Sequence, residues 1–376
     1  PALIGGGGGV ALVAAILLFV PWDPPAAQGM AGEPGVLQDG AYYVYVGSGF
    51  ALPNQNRTPE GIFRYIPGQG AEELVSCENY DINILADLGW RVNSHGLYFI
   101  DSNTGQLYRQ DLATGEQTVL FTIPEEDLNP PEVQWEGKDL WNYFVHDQPL
   151  EAPIPSAIWL LGVSEDTVTL AYRYPDGSTS DTLVLDSRTG EVRSRTRDLE
   201  DRWTSYVGDR AIAVVLRTQD PETGQQWVDL REEGVSLLPA GTVAQAPTAD
   251  FQGGLLAWYT DQGEGTGEGA YLLLPQAGGV YSLPAGPAGE ARTYLAAAQG
   301  WVYYTARQEA GRGTALWARN LATGEAVPLL ERCNITGLVT DGTWCYCTNG
   351  STTDCYRLDW DGQGRPTGLV LVESAL

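Results

Sequence analysis

Positive charge is what this sequence has least of. Its 376 residues carry 21 Lys and Arg against 48 Asp and Glu, a formal charge of −27 at neutral pH. A surface of that sign repels phosphate backbones and anionic lipid headgroups, which argues against nucleic acid as a partner. Lys138 is the sole lysine, arginine supplying the rest, and nothing in the sequence explains that bias. Histidine is as scarce: His95 and His146 are the only two, too few for a histidine-rich metal site. Both read as solvated loop residues. A serine triad would need one of them as base, yet no G-x-S-x-G elbow is present, and Gly47-Ser48-Gly49 reads as a turn. Phosphate-cradling glycine loops and EF-hand spacings are missing too. So is helical periodicity beyond Gly35, in a chain holding 46 Gly and 23 Pro. With 43% hydrophobic and only 18% charged residues, the composition is still that of a globular protein rather than an acidic disordered chain.

The one long apolar run lies at the start. Residues 2–20 carry no charge, and as a helix they would reach roughly 29 Å, about one hydrocarbon thickness. Five glycines at positions 5–9 weaken that helix, and the strongly apolar part, residues 10–22, approaches the length of a signal-peptide core. Pro21-Trp22-Asp23-Pro24-Pro25 ends any helix, and Trp22 suits a membrane interface. No basic residue flanks the run on this side, so the rest of the chain is expected to face away from the cytoplasm. Residues 1–22 are expected to be an uncleaved single-pass anchor, with a cleaved signal and a buried helix as alternatives. The chain opens on Pro1 rather than Met, and a preceding piece is expected. Residues 23–36, rich in Pro, Gly and Ala, read as a tether.

From residue 37 to 376 one unit recurs. Its second strand stands as Ala41-Tyr42-Tyr43-Val44-Tyr45-Val46, Gly96-Leu97-Tyr98-Phe99-Ile100-Asp101 and Thr167-Val168-Thr169-Leu170-Ala171-Tyr172. It returns at 211–216, 255–259, 301–304 and 343–347. The later copies are spaced as four-stranded propeller blades are. A second signature marks the turn between strands three and four: Asp111-Leu112-Ala113-Thr114-Gly115-Glu116, Asp186-Ser187-Arg188-Thr189-Gly190-Glu191 and Asn320-Leu321-Ala322-Thr323-Gly324-Glu325. There Asp or Asn bonds its own backbone and Gly supplies a positive φ. The expected fold is therefore an all-β propeller of four-stranded antiparallel blades after an N-terminal hydrophobic helix. Seven blades are expected, near residues 37–76, 88–123, 155–197, 202–239, 249–285, 296–331 and 338–373. Six and eight are alternatives, because Leu140-Trp141-Asn142-Tyr143-Phe144-Val145 within 124–154 could belong to a further blade or to an insertion.

Leu97-Tyr98-Phe99-Ile100-Asp101-Ser102-Asn103-Thr104-Gly105-Gln106-Leu107-Tyr108-Arg109 resembles a YWTD-type blade, and Trp258-Tyr259-Thr260-Asp261 is a shuffled echo of the motif. Such blades form the propellers of low-density-lipoprotein receptors. Asp341-Gly342-Thr343-Trp344 and Glu73-Leu74-Val75-Ser76 are similar to related bacterial propellers of unknown function. The resemblance implies a six-bladed, non-catalytic extracellular binding propeller, and no catalytic residues come with it.

Four of the five cysteines, Cys333, Cys345, Cys347 and Cys355, crowd the last 44 residues. Cys347 and Cys355 flank the hairpin at Asn349-Gly350 and are expected to face each other as a disulfide, with Cys333 within reach of the same face. Cys77 is left as the odd thiol. A four-thiolate zinc site is the rival, although C-x-C spacing and an extracytoplasmic setting disfavour it, and unpaired, buried cysteines are the remaining alternative. Asp101-Ser102-Asn103, Asp354 and Asp359-Trp360-Asp361 offer oxygen ligands that calcium could use; no other cofactor is suggested. The acid runs Glu125-Glu126-Asp127 and Asp198-Leu199-Glu200-Asp201 read as solvated loops, as does the Gly-rich stretch 262–269. Asn56, Asn334 and Asn349 match the glycosylation sequon, which matters only in a eukaryotic host. Among 12 Trp and 19 Tyr, most should pack between blades, with Trp135, Trp141 and Trp203 the candidates for a binding surface.

The expectation is a membrane-tethered, monomeric extracytoplasmic propeller that binds a protein, peptide or glycan and catalyses nothing. One alternative is a carbohydrate- or lactone-active hydrolase or lyase using carboxylates; another is the sensor domain of a signalling protein.

Overall fold

The computed structural model describes residues 36–46, 60–80, 82, 89–101, 104–124, 158–173, 180–198, 202–207, 210–222, 224–247, 251, 253–260, 268–275, 279–287, 290–308, 314–349 and 352–373. The expected helix and tether, the stretch 124–154 beyond Pro124, His146, Trp135 and Trp141 therefore lie outside the described residues. Within them there is no helix, and the strands form seven antiparallel sheets in chain order. These are blades 1 (36–76), 2 (90–122), 3 (158–198), 4 (202–245), 5 (255–283), 6 (290–333) and 7 (337–373). Five blades show four strands, and blade 4 carries a short fifth, Ala244–Gln245, against its third. Blade 5 shows three strands.

The recurring turn works as its sequence implies. The Asp111 carboxylate accepts the Ala113 and Thr114 N–H groups at 2.9 and 2.8 Å, and Gly115 follows at φ 72°. Asp186 and Asn320 repeat the pattern at 2.9 Å. At Gly190 the turn also touches the preceding blade: a Cβ there would stand 2.0 Å from the Leu120 carbonyl oxygen.

Alternation gives blades 1, 2, 5, 6 and 7 two apolar faces and blades 3 and 4 one each, and these apolar faces are buried by neighbouring blades. Ala41, Tyr43 and Ile62 of blade 1 pack on Trp90, Leu97 and Phe99 of blade 2. Tyr98 and Leu107 pack on Leu170 and Leu185 of blade 3. Similar layers join blades 4 to 5, 5 to 6 and 6 to 7. Tyr42 and Tyr65 meet Val339, Tyr346 and Cys355 to join blade 7 back to blade 1. The Tyr42 and Tyr346 rings stack at 4.2 Å and 7°, Tyr65 meets Tyr346 edge-on at 6.2 Å, and the Tyr65 hydroxyl donates to Glu373. All strands of blade 1 come from the start of the described chain and all strands of blade 7 from its end. Among the described residues, side-chain contacts rather than a shared sheet therefore join blade 7 to blade 1.

Candidate functional site

Among the described residues, the junction of blades 3 and 4 is where no buried apolar layer forms. The cause is in the alternation. In blade 3 one face presents Val168, Leu170, Leu183 and Leu185 to blade 2. The register puts Thr167, Thr169, Thr182, Val184 and Ser194 on the other face. In blade 4 Ile212, Val214, Val228 and Leu230 turn toward blade 5, which leaves Thr204, Tyr206, Ala211 and Ala213 facing blade 3. Small and hydroxylated side chains thus oppose one another where leucines and aromatics meet elsewhere. They leave a cleft of about 420 Å³, lined by Asp166, Thr167, Val184, Arg193, Ser194, Thr196, Thr204, Tyr206 and Ala211. That volume falls in the range of small-ligand sites.

The outer strand Val192–Asp198, whose residues 192–196 are exposed, contributes Arg193, Ser194 and Thr196 to the lining. In sequence it holds Arg193, Arg195 and Arg197, on a protein of charge −27. The Arg193 guanidinium stands 2.6 Å from the Asp186 carboxylate. That contact, with the Thr189 and Arg188 backbone N–H groups, holds Asp186 well below the usual carboxylate range. Arg195 reaches the buried Asp181 at 2.5 Å. Both arginines remain exposed while paired with carboxylates, and Arg193 also lines the cleft.

Next to Asp166, turns of blades 2 and 3 clasp each other. The Asn93 amide donates to the Ser164 carbonyl at 2.6 Å, the Ser94 hydroxyl bonds the Glu165 carboxylate, and the Ser187 hydroxyl donates to the Glu165 carbonyl at 2.8 Å. His95 stands 3.4 Å from Glu165, and Arg188 approaches its Nε2 at 3.0 Å. An arginine only donates, so Nε2 accepts that bond and is poorly placed to take a proton from a nucleophile. Ser94 bonds Glu165, not His95. The constellation is a clasp between blades, and His95, expected as a solvated loop residue, is half-buried in it.

The expected cysteine pairing is not formed. All five thiols are free, and the register shows why Cys347 and Cys355 do not meet. Cys347 pairs with Asp354 and Cys355 with Tyr346; this offset of one residue sends the two side chains to opposite faces of the sheet. Cys345 and Cys347 enter the layer toward blade 6, with Cys333 packed against it, whereas Cys355 enters the layer toward blade 1. The four thiols are thus divided, and no group of three or more His, Cys, Asp or Glu among the described residues is arranged to hold a metal. The oxygen ligands proposed for calcium are separated too. Asp101 accepts from Thr104 at 2.7 Å, Asp359 pairs with Arg357 at 3.2 Å, and Asp361 takes the N–H groups of Gln363 and Arg365 in a turn. Trp203 packs into the layer between blades 4 and 5, on the opposite side of its strand from Thr204, so it is not part of the cleft surface. Sequence reasoning missed the cleft itself. Its trace was the alternation Thr167-Val168-Thr169-Leu170 opposite a strand bearing Ala211 and Ala213.

No family model matches the chain, and no curated protein matches it in sequence. Solved structures do match in fold. Acylaminoacyl peptidase from Pyrococcus horikoshii is 13% identical, with a TM-score of 0.53 over 92% of this chain and 53% of its own. An acylaminoacyl peptidase bound to Z-Gly-Gly-Phe-chloromethyl ketone is 12% identical, with a TM-score of 0.55 over 94% of this chain and 54% of its own. The chain thus spans about half the length of these peptidases. The propeller domain of the trilobed protease from Pyrococcus furiosus, described as having an open Velcro topology, is matched over 98% of its length and 91% of this chain. Its identity is 11% and its TM-score 0.53. The chain is a β-propeller. Its seven blades exceed the six implied by the YWTD resemblance, and no relationship to low-density-lipoprotein-receptor propellers is shown.

Proposed function

We propose that this chain is a non-catalytic binding propeller, held outside the cytoplasm by its N-terminal segment, which takes an oligosaccharide in the cleft between blades 3 and 4. The observation that carries the reading is the chemistry of the cleft. The hydroxyls of Thr167, Ser194, Thr196 and Thr204, the Asp166 and Arg193 side chains and the Tyr206 ring line one cavity. Hydroxyls and planar charged groups can exchange hydrogen bonds with a polyol in both directions, and a tyrosine ring can cover an apolar sugar face. Asp166 is the single carboxylate lining the cleft, and one acid without a second facing it suits holding a ligand better than moving protons. A carboxylate-driven enzyme acting on carbohydrate would instead need an acid pair about 5–10 Å apart across the bound sugar.

The test is an array of neutral and uronate-bearing oligosaccharides beside an array of unrelated peptides, probed with the full chain and with Ala211→Trp. The reading expects oligosaccharide binding that the bulky residue abolishes while the melting curve keeps its shape. Binding to peptides alone, sugar binding indifferent to Ala211→Trp, or turnover of the bound sugar would contradict it.

A further inference from the structure

The thiols at the junction of blades 6 and 7 suggest a modification unrelated to the cleft. Cys355 faces blade 1, and Cys77 lies in blade 1 with its sulfur 3.7 Å from the Tyr45 hydroxyl. Cys345 and Cys347 are two apart on one strand, so their Cα atoms are about 6.6 Å apart with parallel side chains. A disulfide needs Cβ atoms about 3.5–4.5 Å apart, so these two cannot join while the strand holds. Cys333 remains. It ends the outer strand Ala326–Cys333 of blade 6 and packs against the layer that contains Cys347. Three residues later the Thr336 N–H donates to the Thr348 carbonyl at 2.9 Å, and Leu338 pairs with Cys347. The connection between blades therefore carries Cys333 to the end of blade 7 where Cys347 sits. Cys345 lies toward the other end, its thiol 3.1 Å from the Thr340 hydroxyl. Cys333 and Cys347 are also both electrostatic neighbours of the Tyr356 hydroxyl.

We propose that Cys333 and Cys347 are a redox pair that forms a disulfide joining blades 6 and 7. Cys333 is half-buried and Cys347 fully buried, so the outer thiol is the point of entry. With oxidised glutathione as oxidant, the Cys333 thiolate attacks the glutathione disulfide and releases one glutathione thiol. The Cys347 thiolate then attacks the Cys333 sulfur of the mixed disulfide and releases the second. Two protein thiols are oxidised, one glutathione disulfide is reduced to two thiols, and the protein is lighter by two hydrogens.

The experiment is oxidation of the folded full chain by oxidised glutathione, with alkylation of remaining thiols, cleavage before Asp341 and Asp354, and mass spectrometry. The expected product links the Cys333 fragment to the fragment with Cys345 and Cys347. The link should vanish in Cys333→Ser and in Cys347→Ala, survive in Cys345→Ser and Cys355→Ser, and raise the melting midpoint until reductant is added. A link through Cys355, one that persists without Cys347, or glutathione retained on Cys333 with Cys347 free to alkylate would overturn the proposal. Cys333→Ser alters only a half-buried strand end, so the test stands even if Cys347→Ala folds poorly.

Discussion

Replacing Tyr346 by alanine should open the ring at the joint between blades 7 and 1. The side chain is fully buried, stacks on Tyr42 and meets Tyr65 edge-on. Truncating a buried aromatic to alanine costs about 3–5 kcal/mol through lost transfer energy and the cavity left behind. Each aromatic pair adds about 0.5–1.5 kcal/mol; some of that is already counted in the truncation, so a loss near 5 kcal/mol is expected. Tyr346→Phe separates ring from hydroxyl. The hydroxyl finds no partner beyond the soft sulfur of Cys355, and removing a buried group that lacks a good partner should change stability by no more than about 1 kcal/mol, in the favourable direction if either. Urea unfolding followed by tryptophan fluorescence gives both differences, and hydrogen exchange shows where the alanine variant opens. The expectation is faster exchange at residues 41–46 and 344–349, ahead of global unfolding. If Tyr346→Ala unfolds like the parent, or loosens blades 3 and 4 first, side chains at this joint do not close the ring.

Other outcomes follow from the same contacts. Gly190→Ala should cost well over 1 kcal/mol in chemical denaturation, since it combines left-handed strain with a clash on Leu120. Gly115→Ala, with similar φ and open space around it, should cost only the strain, about 1 kcal/mol; equal losses would refute the interblade contact. Asp111, Asp186 and Asp361 have folded pKa values below their unfolded ones. The stability they contribute is present above about pH 4 and should be lost as pH falls through the depressed values, which thermal melts at pH 2–5 would register. Burial pushes the Cys345 thiol from 9.0 and the Tyr356 hydroxyl from 10.0 up to about 12. Their contribution is full below the unfolded values and should disappear as pH climbs to 12, so the melting midpoint should decline from about pH 9 upward.

Blade boundaries were legible because the turn chemistry repeats in full. Asp111, Asp186 and Asn320 each bond the same two N–H groups before a glycine at positive φ, so local sequence alone places the hairpin. Register is a different matter. Pairing Cys347 with Cys355 needed the hairpin offset correct to one residue, and a single-residue shift reverses every side chain on a strand. The same shift decides that Trp203 enters the layer toward blade 5 and Thr204 the cleft. The cleft was illegible for a related reason. Thr169 and Thr182 are buried, yet in sequence they look like the polar half of an ordinary strand. On the same face Thr167 and Thr196 line the cleft, with Ala211 opposite, and only that opposing face reveals a cavity. Charge was legible as a whole and not in its parts: a net −27 gives no hint that Arg193 lines the cleft.

The oligosaccharide reading meets its most direct test in hydrogen–deuterium exchange on the full chain, with and without a sugar selected from the array. Protection confined to residues 192–198 and 202–211, and absent in Ala211→Trp, is the predicted result. Protection along the inner strands of other blades, or none despite saturating sugar, would contradict it.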